Sequence, residues 1–270
     1  MLNIRKNLLA AAVGVALSAG FASQANAIPV FTVNPNSITT TGFSNFNATF
    51  INGNSSELLT VTGPTTLTGS GYAQFSQFVN GSTDLFGSTT GLNNSPGYQL
   101  YLTFTLSGTA ASGTIGAPGS TQNLTSLNYQ VFADPQRNDI FTGANASTSS
   151  GTNITHTGDD ILLGGGSLVA GNGSFTSVDG APAGAALNST ETFALTAAGS
   201  NYFVAPVPFY AVAFDEFNNT QSGVDINGNL ISINDATGGV DFNRVPEPGS
   251  LALIGIALLG LVGLGRRRSA

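Results

Sequence analysis

The sequence predicts an all-β domain, a single antiparallel β-sandwich of either jelly-roll-like or immunoglobulin-like topology. Residues 28–244 contain short segments in which apolar and polar residues alternate, and Gly- and Asn-rich turns separate these segments. No long apolar stripe of helical period interrupts them. Alternation is typical of strands with one buried face, and about ten short strands at this spacing favour a sandwich.

The predicted strands follow one another along the domain. The clearest is residues 98–106, whose apolar positions alternate with a second face formed by Gln99, Tyr101, Thr103 and Thr105. The other predicted strands are residues 46–51, 57–62, 72–79, 124–133, 190–196, 224–226 and 230–233.

Turn signals connect several of these strands. Gly53 and Asn54 predict a turn between the first two, and Asn227-Gly228 predicts a hairpin with a type I′ turn. Residues 142–184 are rich in Gly, Ser, Asn and Ala and are weakly patterned. They are therefore expected to form long loops around one or two short strands.

Charge and composition exclude several classes of function. Residues 28–245 contain two basic and 13 acidic residues, a net charge of −11, which repels phosphate groups and argues against a nucleic-acid partner. The chain has no Cys, so it has neither disulfides nor thiolate chemistry. Five of the seven basic residues lie at the two extreme ends of the chain.

Residues 1–27 are predicted to be a secretory signal peptide. A positively charged start precedes the apolar run 8–22, and Ala25 and Ala27 stand at positions −3 and −1 of a signal peptidase cut before Ile28. The alternative is an N-terminal membrane helix. On the first interpretation, the chain from Ile28 onward is exported.

Residues 245–270 combine three features in order. Pro246, Glu247 and Pro248 form an extended segment with an accessible carboxylate, and an apolar run at 251–265 and an arginine-rich tip follow. A helix over the run would be about 22 Å long, short of the ~30 Å hydrocarbon core. The segment is predicted to be a short transmembrane sorting helix with its arginines on the cytoplasmic side, the alternative being an ordinary C-terminal anchor.

This tripartite tail resembles the PEP-CTERM sorting signal of Gram-negative bacteria that make exopolysaccharide. The motif triplet would be Pro246-Glu247-Pro248. The resemblance implies transient anchoring in the inner membrane, processing by an exosortase, and release to the cell surface or the extracellular matrix.

The body also resembles flocculation-associated PEP-CTERM proteins of floc-forming bacteria. The segments that carry the resemblance are residues 53–63, 72–79, 97–101, 129–135 and 201–210. The resemblance implies a secreted matrix protein, without catalytic residues, that promotes cell aggregation, as in flocs or biofilm, within exopolysaccharide.

The residues themselves give little support to catalysis. No Ser has Gly at both −2 and +2, residues 28–245 contain no Lys, and His156 lies in a polar loop. The protein is therefore expected not to be an enzyme. A carbohydrate-binding module and a secreted hydrolase are the alternative hypotheses, the first requiring exposed aromatics in a groove and the second paired carboxylates in a polar pocket.

Two residue pairs are candidate binding sites. Asp134 and Asp139 flank a Pro-bearing loop and could bind Ca²⁺, which prefers oxygen ligands, although an Asp-Pro turn explains the same residues. Tyr202 and Tyr210 could stack on sugar rings, although alternating residues of their segment could instead fill the core.

Overall fold

A computed structural model of the protein describes residues 29–39, 42–178, 181–219 and 223–243. The predicted signal peptide and sorting segment lie outside these residues. Most of the described chain is β-strand, in agreement with the predicted all-β class. In the described residues, no helix combines the length and apolar character required to cross a bilayer.

Eight long strands build the main sheet. They are β3 (Phe50–Gly63), β4 (Thr66–Asn80), β6 (Gln99–Ser112), β7 (Thr121–Asp134), β10 (Ile161–Val178), β11 (Ala181–Thr192), β14 (Val212–Asn219) and β16 (Leu230–Asn243). Each pairs antiparallel with the next long strand in the chain, and β16 pairs with β3. The sheet therefore continues around the core, so the two layers of the predicted sandwich are joined along both sides.

Short elements complete the fold. The short strands are β1 (Phe31–Val33), β2 (Phe46–Ala48), β5 (Thr83–Leu85), β8 (Ile140–Thr142), β9 (Asn153–Thr155), β12 (Ala194–Leu195), β13 (Phe203–Ala205) and β15 (Val224–Asn227). The short helices are α1 (Gly87–Thr90), α2 (Ala197–Tyr202) and the 3₁₀ turns Pro35–Ser37 and Thr157–Asp159. Strands β13, β1 and β2 form a separate sheet, and β8 and β9 form a two-stranded ribbon.

One hydrophobic core lies inside the main sheet, and the three-stranded sheet covers one end of it. Phe31 of β1 is fully buried and contacts Phe242 of β16 edge to face, with ring centroids 5.2 Å apart. Phe203 of β13 contacts the same two rings, at 5.9 and 5.7 Å. This aromatic cluster supplies the burial that a domain without disulfides needs.

Two local predictions are corrected, and a third is confirmed with a different turn type. Residues 142–184 contain β10, at 18 residues the longest strand described, rather than mainly loops. Gly53 does not form a turn, because β3 runs unbroken through it and shifts register there against β4. The hairpin at Asn227-Gly228 is confirmed, but Gly228 and Asn229 are its central residues and only Gly228 has a positive φ, which fits a type II′ turn instead of type I′.

Candidate functional site

A cleft of about 860 Å³ lies on the outer face of the main sheet, over β4, β6, β7 and β10. Strand alternation points every second side chain of these strands away from the core. Thr103 and Thr105 of β6 and Asn128 and Gln130 of β7 reach the floor of the cleft in this way. These are the outward positions of the most clearly alternating part of the sequence.

The floor is ordered in rungs that cross the strands. Thr103 stands opposite Gln130 on one side and Tyr72 on the other. Two residues further along β6, Thr105 stands opposite Asn128. Cross-strand neighbours lie on the same face of a sheet, so each rung presents hydroxyl and carboxamide groups side by side.

The β8–β9 ribbon forms one wall of the cleft, through residues that include Asn153 and Ile154. Phe141 of β8 packs on two floor rings, with centroids 5.1 Å from Tyr72 and 5.2 Å from Tyr101. Tyr101 in turn stacks on Phe132 at 5.3 Å, with an interplanar angle of 19°. Aromatic packing therefore holds the ribbon on the sheet at one end of the cleft.

Hydrogen bonds fix the loop that joins β8 to β9. The Ala144 N–H donates to Ser56 Oγ at 2.9 Å, and Asn234 Nδ2 donates to the Ala144 carbonyl at 3.0 Å. The Ala146 N–H donates to Ser232 Oγ at 3.2 Å. These partners lie on β3 and β16, two adjacent strands beside the floor, so the loop is anchored to the sheet and the wall is preorganised.

Four aspartates gather near one end of the cleft. Asp160 lines it and accepts a hydrogen bond from the Tyr101 hydroxyl. Asp134, Asp139 and Asp159 are close enough to act electrostatically on one another or on Asp160. The carboxyl groups of Asp139 and Asp160 share a hydrogen bond, and no N–H or hydroxyl group of the described residues donates to either oxygen of Asp139 or to Oδ1 of Asp160.

This crowding alters the acidity of the carboxyl groups. Burial, reinforced by the negative charges of Asp160 and Asp134, raises the pKa of Asp139 from 3.8 to about 7. Burial also raises the pKa of Asp160, although the hydrogen bond from Tyr101 opposes that shift. Below about pH 7 the Asp139 carboxyl therefore holds a proton that it can share with Asp160.

The two aspartates predicted to bind calcium, Asp134 and Asp139, have different roles in the structure. Asp134 is fully buried and its carboxylate accepts backbone N–H groups of Gln136, Arg137 and Asp139 at 2.8, 2.7 and 3.0 Å, which organises the loop after β7. The Asp139 carboxyl instead shares a hydrogen bond with Asp160 and receives none from an N–H or hydroxyl group of the described residues. Across the described chain, no group of three or more acidic or His side chains is arranged to bind a metal ion, so calcium at this pair stays a prediction.

The predicted sugar-stacking tyrosines are placed in the interior. Tyr202 is fully buried and its hydroxyl lies 2.7 Å from that of Tyr98. Tyr210 is 7% exposed and donates to the Val30 carbonyl at 2.9 Å. Neither ring presents a face to solvent, so the stacking prediction is corrected in favour of the core alternative. The aromatic residues that line the cleft, which include Tyr72, Tyr101 and Phe132, were not predicted from the sequence to be binding residues.

The remaining predicted residues lie outside the described part of the chain. They are Ala25 and Ala27 of the signal peptide and Pro246, Glu247 and Pro248 of the sorting segment.

Comparison with known proteins identifies the C-terminal segment. Residues 244–268 match the PEP-CTERM protein-sorting motif, which implies export, processing by an exosortase and sorting to the cell surface. No curated protein and no solved structure is significantly similar to the chain.

Proposed function

We propose that this chain, exported and sorted to the surface by its PEP-CTERM motif, is a non-enzymatic matrix protein that promotes cell aggregation with exopolysaccharide. The observation that carries the proposal is the position of the motif. It begins at residue 244, directly after β16 ends at Asn243, so the whole folded domain precedes the processing site. An exosortase acting there would deliver the intact domain to the outside of the cell.

The negative charge of the domain is compatible with a role in a polysaccharide matrix. Its net charge of −11 keeps it soluble and repels other copies of itself, so self-association does not compete with contacts to the matrix. Many copies held in one matrix would turn weak contacts into strong cohesion through high effective concentration.

Carbohydrate binding is the second candidate function, and the cleft favours it. Hydrolysis is less well supported, because a glycosidase needs two carboxyl groups facing the bond that it breaks. Only Asp160 among the four clustered aspartates lines the cleft. A binding role requires no second carboxylate, and it would serve aggregation directly.

Deletion of the gene tests the aggregation proposal. We expect the deletion strain to settle more slowly and to release more exopolysaccharide into the medium than the parent, and we expect the wild-type gene to restore both properties. Unchanged aggregation and unchanged retention of polysaccharide in the deletion strain would contradict the proposal.

A further inference from the structure

We propose that the cleft over β4, β6, β7 and β10 is a binding site for an uncharged segment of a polysaccharide chain. The inference rests on the proposed matrix function and adds to it the site and the chemical class of the ligand. Four adjacent strands at a spacing of roughly 4.8 Å give the floor a width of about 14 Å, enough for an extended chain to lie across it.

The rungs of the floor match the needs of sugar hydroxyl groups. A hydroxyl group both donates and accepts hydrogen bonds, and so do the hydroxyl of Thr103 and the carboxamide of Gln130, which stand side by side. Thr105 and Asn128 repeat the pairing two residues along the strands, about 7 Å away. The exposed fraction of Gln130 and Asn128 leaves their amide groups accessible from the cleft.

Asp160 supplies a stronger acceptor at the end of the floor. Its Oδ2 accepts the Tyr101 hydroxyl, which fixes the orientation of the carboxylate. Its Oδ1 is buried from water, and its carboxyl group shares a hydrogen bond with the Asp139 carboxyl. Oδ2 keeps a second lone pair, and because a hydrogen bond from a neutral hydroxyl to a carboxylate is charge-assisted, a sugar hydroxyl at this end of the cleft is a well-matched donor for it.

Charge selects a neutral ligand over an acidic one. Among the described residues that line the cleft, Asp160 carries the only formal charge and none is basic. Asp134 and Asp159 add negative potential at the same end, whereas the Asp139 carboxyl is largely neutral below its pKa of about 7. This negative potential would repel an anionic sugar, whereas it would not repel an uncharged polyol.

The fixed wall favours binding without rearrangement. The ribbon is held by Phe141 at one end and by the hydrogen bonds of Ala144 and Ala146 at its loop. A ligand that enters a preformed cleft loses little free energy to ordering of the protein. The polar rungs, the oriented carboxylate and the preorganised wall together define a binding site.

The test uses the mature secreted protein and the exopolysaccharide of the producing strain, separated by anion exchange into neutral and acidic fractions. The variant Thr103→Val/Gln130→Ala removes one rung from the surface without touching the core. The control Thr68→Val/Asn123→Ala removes a hydroxyl and a carboxamide in the same way at exposed positions of β4 and β7 outside the cleft. Affinity electrophoresis measures binding, and circular dichroism checks that both variants fold.

We expect the wild type and the control to bind the neutral fraction and the rung variant to bind it about tenfold more weakly, because two hydrogen bonds are lost. Binding to the acidic fraction alone, equal binding by the rung variant, or binding to neither fraction would overturn the inference. Retention on cells stripped of polysaccharide would point instead to a protein partner and would also overturn it.

Complementation separates this inference from the aggregation proposal. If the deletion strain aggregates normally, the aggregation proposal is wrong whatever the cleft binds. If aggregation is lost on deletion and the rung variant restores it fully, the domain promotes aggregation by another surface and the cleft assignment is wrong. Restoration by the control but not by the rung variant supports both.

Discussion

Two glutamate side chains are buried inside the main sheet, where ionisable groups are rare. Glu57 is 6% exposed and Glu191 is fully buried, and Glu57 Oε2 and both oxygens of Glu191 lack hydrogen-bond partners in the described residues. Burial raises the pKa of each from 4.5 to about 7, and the nearby Ser189 hydroxyl partly opposes the shift in the pKa of Glu191. Both are therefore largely protonated in the folded domain at mildly acidic pH.

Their protonation makes stability depend on pH. The folded state holds these protons above the unfolded pKa of 4.5, so the free energy of unfolding decreases as pH rises from 4.5 through about 7 and is level above that. The variant Glu57→Gln cannot ionise, and we expect it to gain up to about 3 kcal/mol over the wild type at alkaline pH.

Thermal unfolding between about pH 4 and pH 9 checks this expectation. Glu191→Gln should flatten the pH dependence in the same direction. Asp84→Asn, which changes an exposed carboxylate, is the control and should leave the profile unchanged. A wild-type profile in which stability rises over this interval would contradict the assignment of the protons to these two glutamates.

Asp134 illustrates a polar residue whose role is structural. Its carboxylate satisfies three backbone N–H groups of the following loop, and Ala would leave them unsatisfied in a buried position. We expect Asp134→Ala to lower the free energy of unfolding by roughly 3 kcal/mol, measured in urea. Asp134→Asn keeps one acceptor oxygen and should cost less; an equal cost, or none for Ala, would show that the loop does not depend on these bonds.

At the scale of the element, the β8–β9 ribbon depends on one ring. Phe141 contacts Tyr72 and Tyr101, whereas its neighbour Ile140 is 57% exposed. We expect Phe141→Ala to lose about 1 kcal/mol of aromatic contact and to increase hydrogen exchange of the ribbon amides, with Ile140→Ala as the matched control. Equal exchange in the two variants would mean that the loop hydrogen bonds alone hold the ribbon.

Strands were predictable from sequence where side chains alternate and not where glycine is required by close packing. Residues 98–106 alternate strongly and lie within β6, as predicted. In β10, Gly164 to Gly166 carry the usual signal of a loop. A Cβ at Gly166 would lie 1.7 Å from the Thr192 carbonyl oxygen, so only glycine permits that approach. Gly53 is similar, because its Cβ would lie 2.6 Å from the Gln74 carbonyl oxygen.

The candidate site was predictable only in part, because it depends on contacts between residues that are distant in the sequence. Outward-facing Thr103 and Thr105 could be identified from alternation, but their partners on β7 depend on register, which the sequence does not specify. Asp139 and Asp160 are separated by 20 residues and meet only because β10 returns beside β7. Tyr202 contains a polar hydroxyl, and its burial depends on pairing with Tyr98, 104 residues away.

At the scale of the whole molecule, the sorting segment follows the domain without a spacer. Glu247 is the only charged residue in the Pro-Glu-Pro triplet of the motif. We expect Glu247→Ala to block exosortase processing, so that mass spectrometry finds the C-terminal segment still attached. Ser250→Ala, just beyond the triplet, should be processed normally. If the Glu247 variant is processed like the wild type, the exosortase does not recognise the triplet through its carboxylate.

The double pairing of β16 has a mechanical consequence. This strand is paired with β14 through residues 237–243 and with β3 through residues 230–233 and 236–240, and the sorting motif continues directly from its end. A domain attached through that end and loaded by flowing liquid is pulled along β16. Hydrogen bonds in antiparallel ladders run perpendicular to the strands, so both ladders resist together in shear instead of opening one bond at a time. The strand next to the point of attachment is thus the one best placed to bear tension.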